Sequence, residues 1–211
     1  MATQWHTRRE QIIEVLGRFL PAPAVDYAYG LIITHQVHLV LTRERTTKYG
    51  DYRAPVGKEG HRISVNQTLN PYAMLVTLLH EFAHLKVWEQ YRHKVRPHGE
   101  EWKRAFAEIM KPVLNEEIFP HDVLGVLQRY LINPAASSCS DPQLMAALSA
   151  HNPPSDYNCL LRDLPEGTLF ALAKGHRFRK GAMRRTRCIC TCEDSRRNFL
   201  ILASTRVRPL E

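Results

Sequence analysis

Apolar residues fall along this chain in two rhythms, a spacing of three to four that predicts helices and an alternation of two that predicts strands. Between Arg8 and Phe19, the residues Ile12, Ile13, Leu16 and Phe19 share one helical face with Leu20, and Pro21 and Pro23 close the segment. Val25 to Thr34 predicts a second helix. Strand-like runs follow at Val37 to Leu41, Gly50 to Ala54 and Arg62 to Val65, with a turn at residues 48–51 and a loop from Pro55 to Gly60. Asn70 then reads as an N-cap before a proline at the first helical position, and Met74, Leu75, Leu78, Leu79, Phe82 and Leu85 recur at helical spacing. Another amphipathic helix opens at Glu100-Glu101-Trp102-Lys103, with acidic residues in its first turn, and runs through Phe106, Ile109 and Met110.

Beyond Lys111-Pro112 the rhythm shortens. His121 to Leu131 and Asp141 to Ala150 predict short helices separated by residues 133–140, and His151-Asn152-Pro153-Pro154 reads as a linker. From Tyr157 onward β-type runs dominate, at Thr168 to Leu172, His176 to Arg179, Thr186 to Thr191 and Phe199 to Leu202. The pattern predicts an α+β protein in three parts: a core over residues 1–115, a helical connector and linker over 116–155, and a small β-rich module over 156–211. With 211 residues and 44% apolar content, the chain buries a substantial core. The apolar stretch from Tyr27 to Leu41 is too short to span a bilayer and is broken by His35, Gln36 and His38, and the first residues lack the apolar segment of a signal peptide. Five cysteines, an odd number without framework spacing, point to a reducing compartment. A cytoplasmic protein with no membrane partner is expected.

The long helix carries His80-Glu81-Phe82-Ala83-His84. Histidines at i and i+4 lie on one helical face, where they share a zinc ion and leave the intervening glutamate placed as a general base. Here the three polar residues lie largely off the apolar stripe, which predicts that they face a polar cleft. A catalytic zinc needs a third protein ligand. His93 stands more than two turns beyond the pair and is a poor candidate. His98 lies fourteen residues after His84, between Pro97 and Gly99, which gives the chain room to turn back, and it ranks first. Glu100, Glu101 and Glu108 are the competitors. The metzincin extension is excluded, because Val87 and Gln90 stand where that pattern needs glycine and histidine.

Taken together, His61-Arg62-Ile63-Ser64-Val65-Asn66, Leu69-Asn70-Pro71-Tyr72, Leu78-Leu79-His80-Glu81-Phe82-Ala83-His84-Leu85 and His98-Gly99-Glu100-Glu101-Trp102-Lys103 resemble the SprT-like, or Spartan-type, zinc metallopeptidases over about half the chain. The resemblance implies a zincin-like core in which His80, His84 and His98 bind one Zn2+ and Glu81 is the catalytic base. It also makes proteins crosslinked to DNA a plausible substrate class. Imidazole ligands beside a hydrolytic carboxylate favour zinc over manganese or nickel. An edge strand of the small sheet before the helix would bind an extended substrate through main-chain hydrogen bonds.

Charge separates the two ends. Residues 174–211 hold eleven Lys/Arg and three Asp/Glu, whereas the preceding 173 residues hold eighteen of each, so the whole net charge of +8 belongs to the C-terminal end. Arg177, Arg179, Lys180, Arg184, Arg185 and Arg187, with Arg196 and Arg197, predict a basic surface for nucleic-acid phosphates. Phe178 and Phe199 are read as core residues. Many SprT-like relatives end in a zinc ribbon with paired Cys-x-x-Cys knuckles, but this chain has Cys188-Ile189-Cys190-Thr191-Cys192, which a strand turns to one face. The module is therefore read as ribbon-like without its metal, Cys139, Cys159 and His176 being the only further ligands at hand. Two classes of function follow: a zinc peptidase acting on nucleic-acid-bound proteins, or a non-proteolytic nucleic-acid-binding or regulatory protein with a structural or relict metal site.

Overall fold

A computed structural model describes residues 2–43, 48–57, 59–135, 141–153, 156–157, 159–173 and 175–210, and for residues 2–7 the backbone alone. Among the described residues the chain is α+β, with six α-helices and two sheets, and it divides into two units, Met1–Asn152 and Pro153–Glu211. The first unit contains α1 (Ala2–Gly17), α2 (Val25–Thr34), β1 (His38–Thr42), β2 (Gly50–Arg53), β3 (Arg62–Asn66), α3 (Pro71–Tyr91), α4 (Glu100–Met110), α5 (His121–Tyr130) and α6 (Pro142–Ala150). Its three strands run in the order β1-β3-β2, with β3 parallel to β1 and antiparallel to β2. The middle strand is the apolar one: Ile63 and Val65 are fully buried, while β1 and β2 form the two edges.

Helix α3 is the centre of this unit. Every residue from Ala73 to Ala83 is buried, because β2 and β3 cover one side, α4 another, and α6 packs against it as well. The amphipathic stripe expected from the sequence is thus a helix buried all round, and His80 and Glu81 lie in the interior rather than along an open cleft. Its N-terminus is fixed by Asn70, whose Oδ1 accepts from the backbone N–H groups of Tyr72 (3.1 Å) and Ala73 (3.0 Å). The same side chain donates from Nδ2 to Leu148 O and to Asn152 Oδ1, both at 2.7 Å. One buried amide therefore caps α3 and ties it to the end of α6.

The expected connector is not separate. Phe119, Val123, Leu127, Leu144 and Leu148 are buried in the same core as α3, because the apolar faces of α5 and α6 need a surface to cover them. Of the expected loop and linker, residues 58, 136–140 and 154–155 lie outside the described residues.

The second unit is an antiparallel sheet in the order β4-β9-β5-β6-β7-β8, formed by β4 (Cys159–Leu160), β5 (Leu169–Ala171), β6 (Arg177–Met183), β7 (Arg187–Cys192), β8 (Asn198–Leu202) and β9 (Arg206–Pro209). Strands β4 and β9 escape the sequence reading: one is two residues long, and the other places Val207 between arginines and ends in proline. Phe170, Phe178, Cys188, Cys190, Cys192 and Val207 fill the core of this unit. Phe178 is buried as expected, whereas Phe199 on the edge strand β8 is 45% exposed and meets Phe178 edge-on at 5.6 Å. No helix among the described residues is long and apolar enough to cross a membrane.

Replacing Asn70 with alanine removes the cap of α3 and its two bonds toward α6. The expected loss is about 2 kcal/mol of unfolding free energy, measured from the urea midpoint. A shift of only a few tenths would count against the buried amide as the junction of the two helices.

Candidate metal centre and basic surface

On α3, one helical turn separates His80 from His84, and α4 crosses the helix beside both, bringing Trp102 against them. His98 precedes α4 with φ of +58°, a left-handed conformation that histidine adopts more readily than β-branched residues do. The next residue has little room for a side chain, since a Cβ on Gly99 would stand 3.1 Å from Arg96 O. This sharp reversal turns the His98 ring back to α3, so that His98 Nε2 lies 3.4 Å from His80 Nε2. One nitrogen from each of His80, His84 and His98 falls within 4.8 Å of the others, and among the described residues no other group of three potential ligands meets this condition.

Trp102 is the floor of the triad. It is fully buried, and its ring centroid lies 4.6 Å from that of His80, 4.8 Å from that of His98 and 5.4 Å from that of His84, while Phe106 stacks on it at 5.1 Å. The sequence placed Trp102 in the second helix but gave no sign of this role. Its spacing from Phe106, four residues on, is the available signal. Against this apolar floor the imidazoles lose their charged forms. Burial and the neighbouring rings His84 and His98 lower the pKa of His80 to about 3, burial and His98 lower that of His84 to about 4, and burial lowers that of His98.

Three unprotonated imidazoles converging at this distance form a donor set that fits Zn2+. The second ring nitrogen of His80, Nδ1, is buried and has no hydrogen-bond partner among the described residues, so packing alone orients the ring. The competing ligands are elsewhere. Glu100 is exposed and paired with Lys103 at 2.8 Å, Glu108 pairs with Lys86 at 3.1 Å, Glu101 is not part of the converging set, and His93 is exposed.

Glu81 follows His80 and is only 7% exposed. Its side chain packs against the first residue of β2, since a Cβ on Gly50 would overlap Glu81 Oε1 and stand 2.9 Å from Glu81 Cγ. The carboxylate therefore lies beside one edge of the three-stranded sheet, the edge that β2 provides.

Of the basic residues expected at the surface of the second unit, Arg197 is exposed and forms no ion pair among the described residues, and the other seven divide into three groups. Arg179 pairs with Glu193 at 3.2 Å, Arg196 with the same carboxylate at 3.5 Å, and Arg177 with Asp194 at 3.7 Å. Lys180, expected at the surface, is instead 5% exposed and donates from Nζ to the carbonyl oxygens of Arg162 and Leu164. The correction has a simple cause: on β6 Lys180 alternates to the same face as Phe178, which packs in the core. Arg184, Arg185 and Arg187 remain, exposed at the tip of the β6–β7 hairpin, where the Arg184 N–H donates to Arg187 O at 2.7 Å, and they form no ion pair among the described residues.

Cys188, Cys190 and Cys192 all face the core of the same unit, as their alternation requires, and burial raises the Cys190 thiol to about 11. They do not converge on a point, since strand geometry spaces them along one face. Cys159 is half-buried, His176 is exposed, and Cys139 lies outside the described residues.

The depressed imidazole pKa values carry a sign for stability. Unfolded histidines titrate near 6.5, so below that pH the unfolded chain holds protons that buried His80 and His84 refuse. Metal-free protein should therefore lose stability as the pH falls from 6.5 toward 4 and regain it above 6.5. Urea midpoints of chelator-treated protein across this range test it, and replacing both residues with glutamine should flatten the dependence.

Comparison with known proteins adds one match. Residues 32–121 fit the model of the SprT-like family. No curated protein and no solved structure gives a significant match. The matched segment spans the three-stranded sheet, α3 with His80, Glu81 and His84, and the reversal at His98, and over that segment the chain is similar to the SprT-like family.

Proposed function

We propose that this protein is a zinc-dependent endopeptidase with a zincin-like core, acting in the cytoplasm on proteins bound or crosslinked to nucleic acid. The observation that carries the reading is the convergence of His80, His84 and His98, all held neutral, next to a buried carboxylate at a sheet edge. His80, His84 and His98 would hold the zinc. Bound there, zinc supplies the Lewis acidity that activates water at neutral pH and polarises a scissile carbonyl.

Glu81 takes the proton of the attacking water and passes it to the leaving amine as the peptide bond breaks. Its burial removes competing solvent, and its position beside β2 puts the proton acceptor at the edge where an extended substrate adds its own backbone hydrogen bonds. A site that only stapled the fold would have no use for that base. Free thiols at Cys188, Cys190 and Cys192 suit a reducing compartment.

For the nucleic acid, the unpaired hairpin arginines Arg184, Arg185 and Arg187 are the proposed phosphate contacts. Arg177 and Arg179 would contribute less, because carboxylates already hold them. Lys180 has no part in the contact.

Two experiments test the reading. With zinc, single-stranded DNA and a DNA-binding protein as substrate, Glu81→Gln should retain its zinc and lose cleavage by about 10²-fold or more. Fragments that form equally with the variant, or under no DNA condition at all, would remove the peptidase and leave a non-proteolytic nucleic-acid-binding protein. Replacing Arg184, Arg185 and Arg187 together with alanine should weaken DNA binding and reduce the slope of log affinity against log salt by about 2–3. Arg177→Ala should change that slope by less than about 1.

A further inference from the structure

Gly50 opens β2 and packs directly on the side chain of Glu81. A Cβ there would overlap Glu81 Oε1, stand 2.9 Å from Glu81 Cγ and lie 2.8 Å from Thr77 Cγ2. These are not loose surface atoms. Glu81 and Thr77 are both buried on the helix face that β2 covers, and Cγ is held one bond from the rigid part of α3, so the carboxylate cannot yield by a small swing of its end.

Conformation does not require glycine here. Gly50 lies in a regular strand opposite Val65, and it is not among the residues with positive φ. A strand accepts alanine at such a position, and the missing methyl is needed only for the space it leaves. Two other glycines of this unit provide the contrast: a Cβ on Gly30 meets nothing within 4 Å, and one on Gly60 meets only Gln36 O at 3.5 Å.

We infer that Gly50 is a positioning residue for Glu81, its bare backbone forming the wall that sets the direction of the carboxylate beside the three histidines. The inference rests on the peptidase reading for its effect on catalysis, but on packing alone for its effect on Glu81. A side chain at position 50 would occupy the place of Oε1 and turn the carboxylate away, while leaving His80, His84 and His98 on their own elements.

The test is Gly50→Ala, with Gly30→Ala as a control. For Gly50→Ala, kcat should fall by about 10²-fold, the cost of misplacing a reacting group by about an ångström, with KM and zinc affinity by chelator competition unchanged within about two-fold. Gly30→Ala should match the wild type. Wild-type turnover by Gly50→Ala, or a loss of kcat that follows a parallel loss of zinc affinity and thermal stability, would overturn the inference. If the wild type cleaves nothing, the peptidase reading fails by itself. A crystal structure of Gly50→Ala then decides the inference separately: Glu81 turned away upholds it, and Glu81 in an unchanged rotamer overturns it.

Discussion

The rest of this structure depends on the packing of Trp102 against three imidazoles. An indole ring on α4 touches His80 and His84 on α3 and His98 at the approach to α4, so one contact fixes the crossing of two helices and closes the candidate metal-ligand set. It also sets the chemistry. By excluding water from the rings it keeps them neutral, the protonation state a metal requires of its ligands. The cost is a polar ring in the interior: His80 is oriented by packing where a metal-site histidine is usually oriented by a hydrogen bond to its second nitrogen.

Around that contact the first unit is layered so that α3 has no free face from Ala73 to Ala83. Sheet, α4 and α6 each cover part of it, and Asn70 satisfies the exposed N–H groups at its start while binding the end of α6. Burial on all sides lets a helix with a histidine pair and a glutamate hold them to fixed positions, because neighbouring side chains leave each rotamer little room. Gly50 extends the same principle to the carboxylate, with the backbone of a strand in place of a side chain.

The second unit shows how alternation alone sorts charge. On β6 the residues Phe178 and Lys180 point inward, Arg177 and Arg179 outward, and on β7 the cysteines point inward while Arg187 points outward. A count of basic residues reads them as one patch. The fold separates them into pairs held by Glu193 and Asp194, one buried ammonium, and a free cluster at the hairpin tip. The hairpin group carries guanidinium charge that no ion pair holds among the described residues, which is what phosphate contact needs.

Local sequence determined the elements and the candidate metal ligands. The caps, periodicities and turns of residues 8–131 place α1 to α5 and the three strands to within a few residues, with α1 extending further toward the N-terminus, and the i, i+4 histidines followed by His98 mark the converging nitrogens. These are short-range signals, written within one element or one loop. Tertiary structure alone decided the burial of His80 and Glu81, the role of Trp102, the approach of Gly50, the packing of α5 and α6 on the core, and the withdrawal of Lys180 from the surface. Each of these is a contact between elements distant in sequence. No local pattern encodes which neighbour will cover a given face, and it is that neighbour, by excluding water or occupying space, that fixes what a histidine, a glutamate or a lysine does.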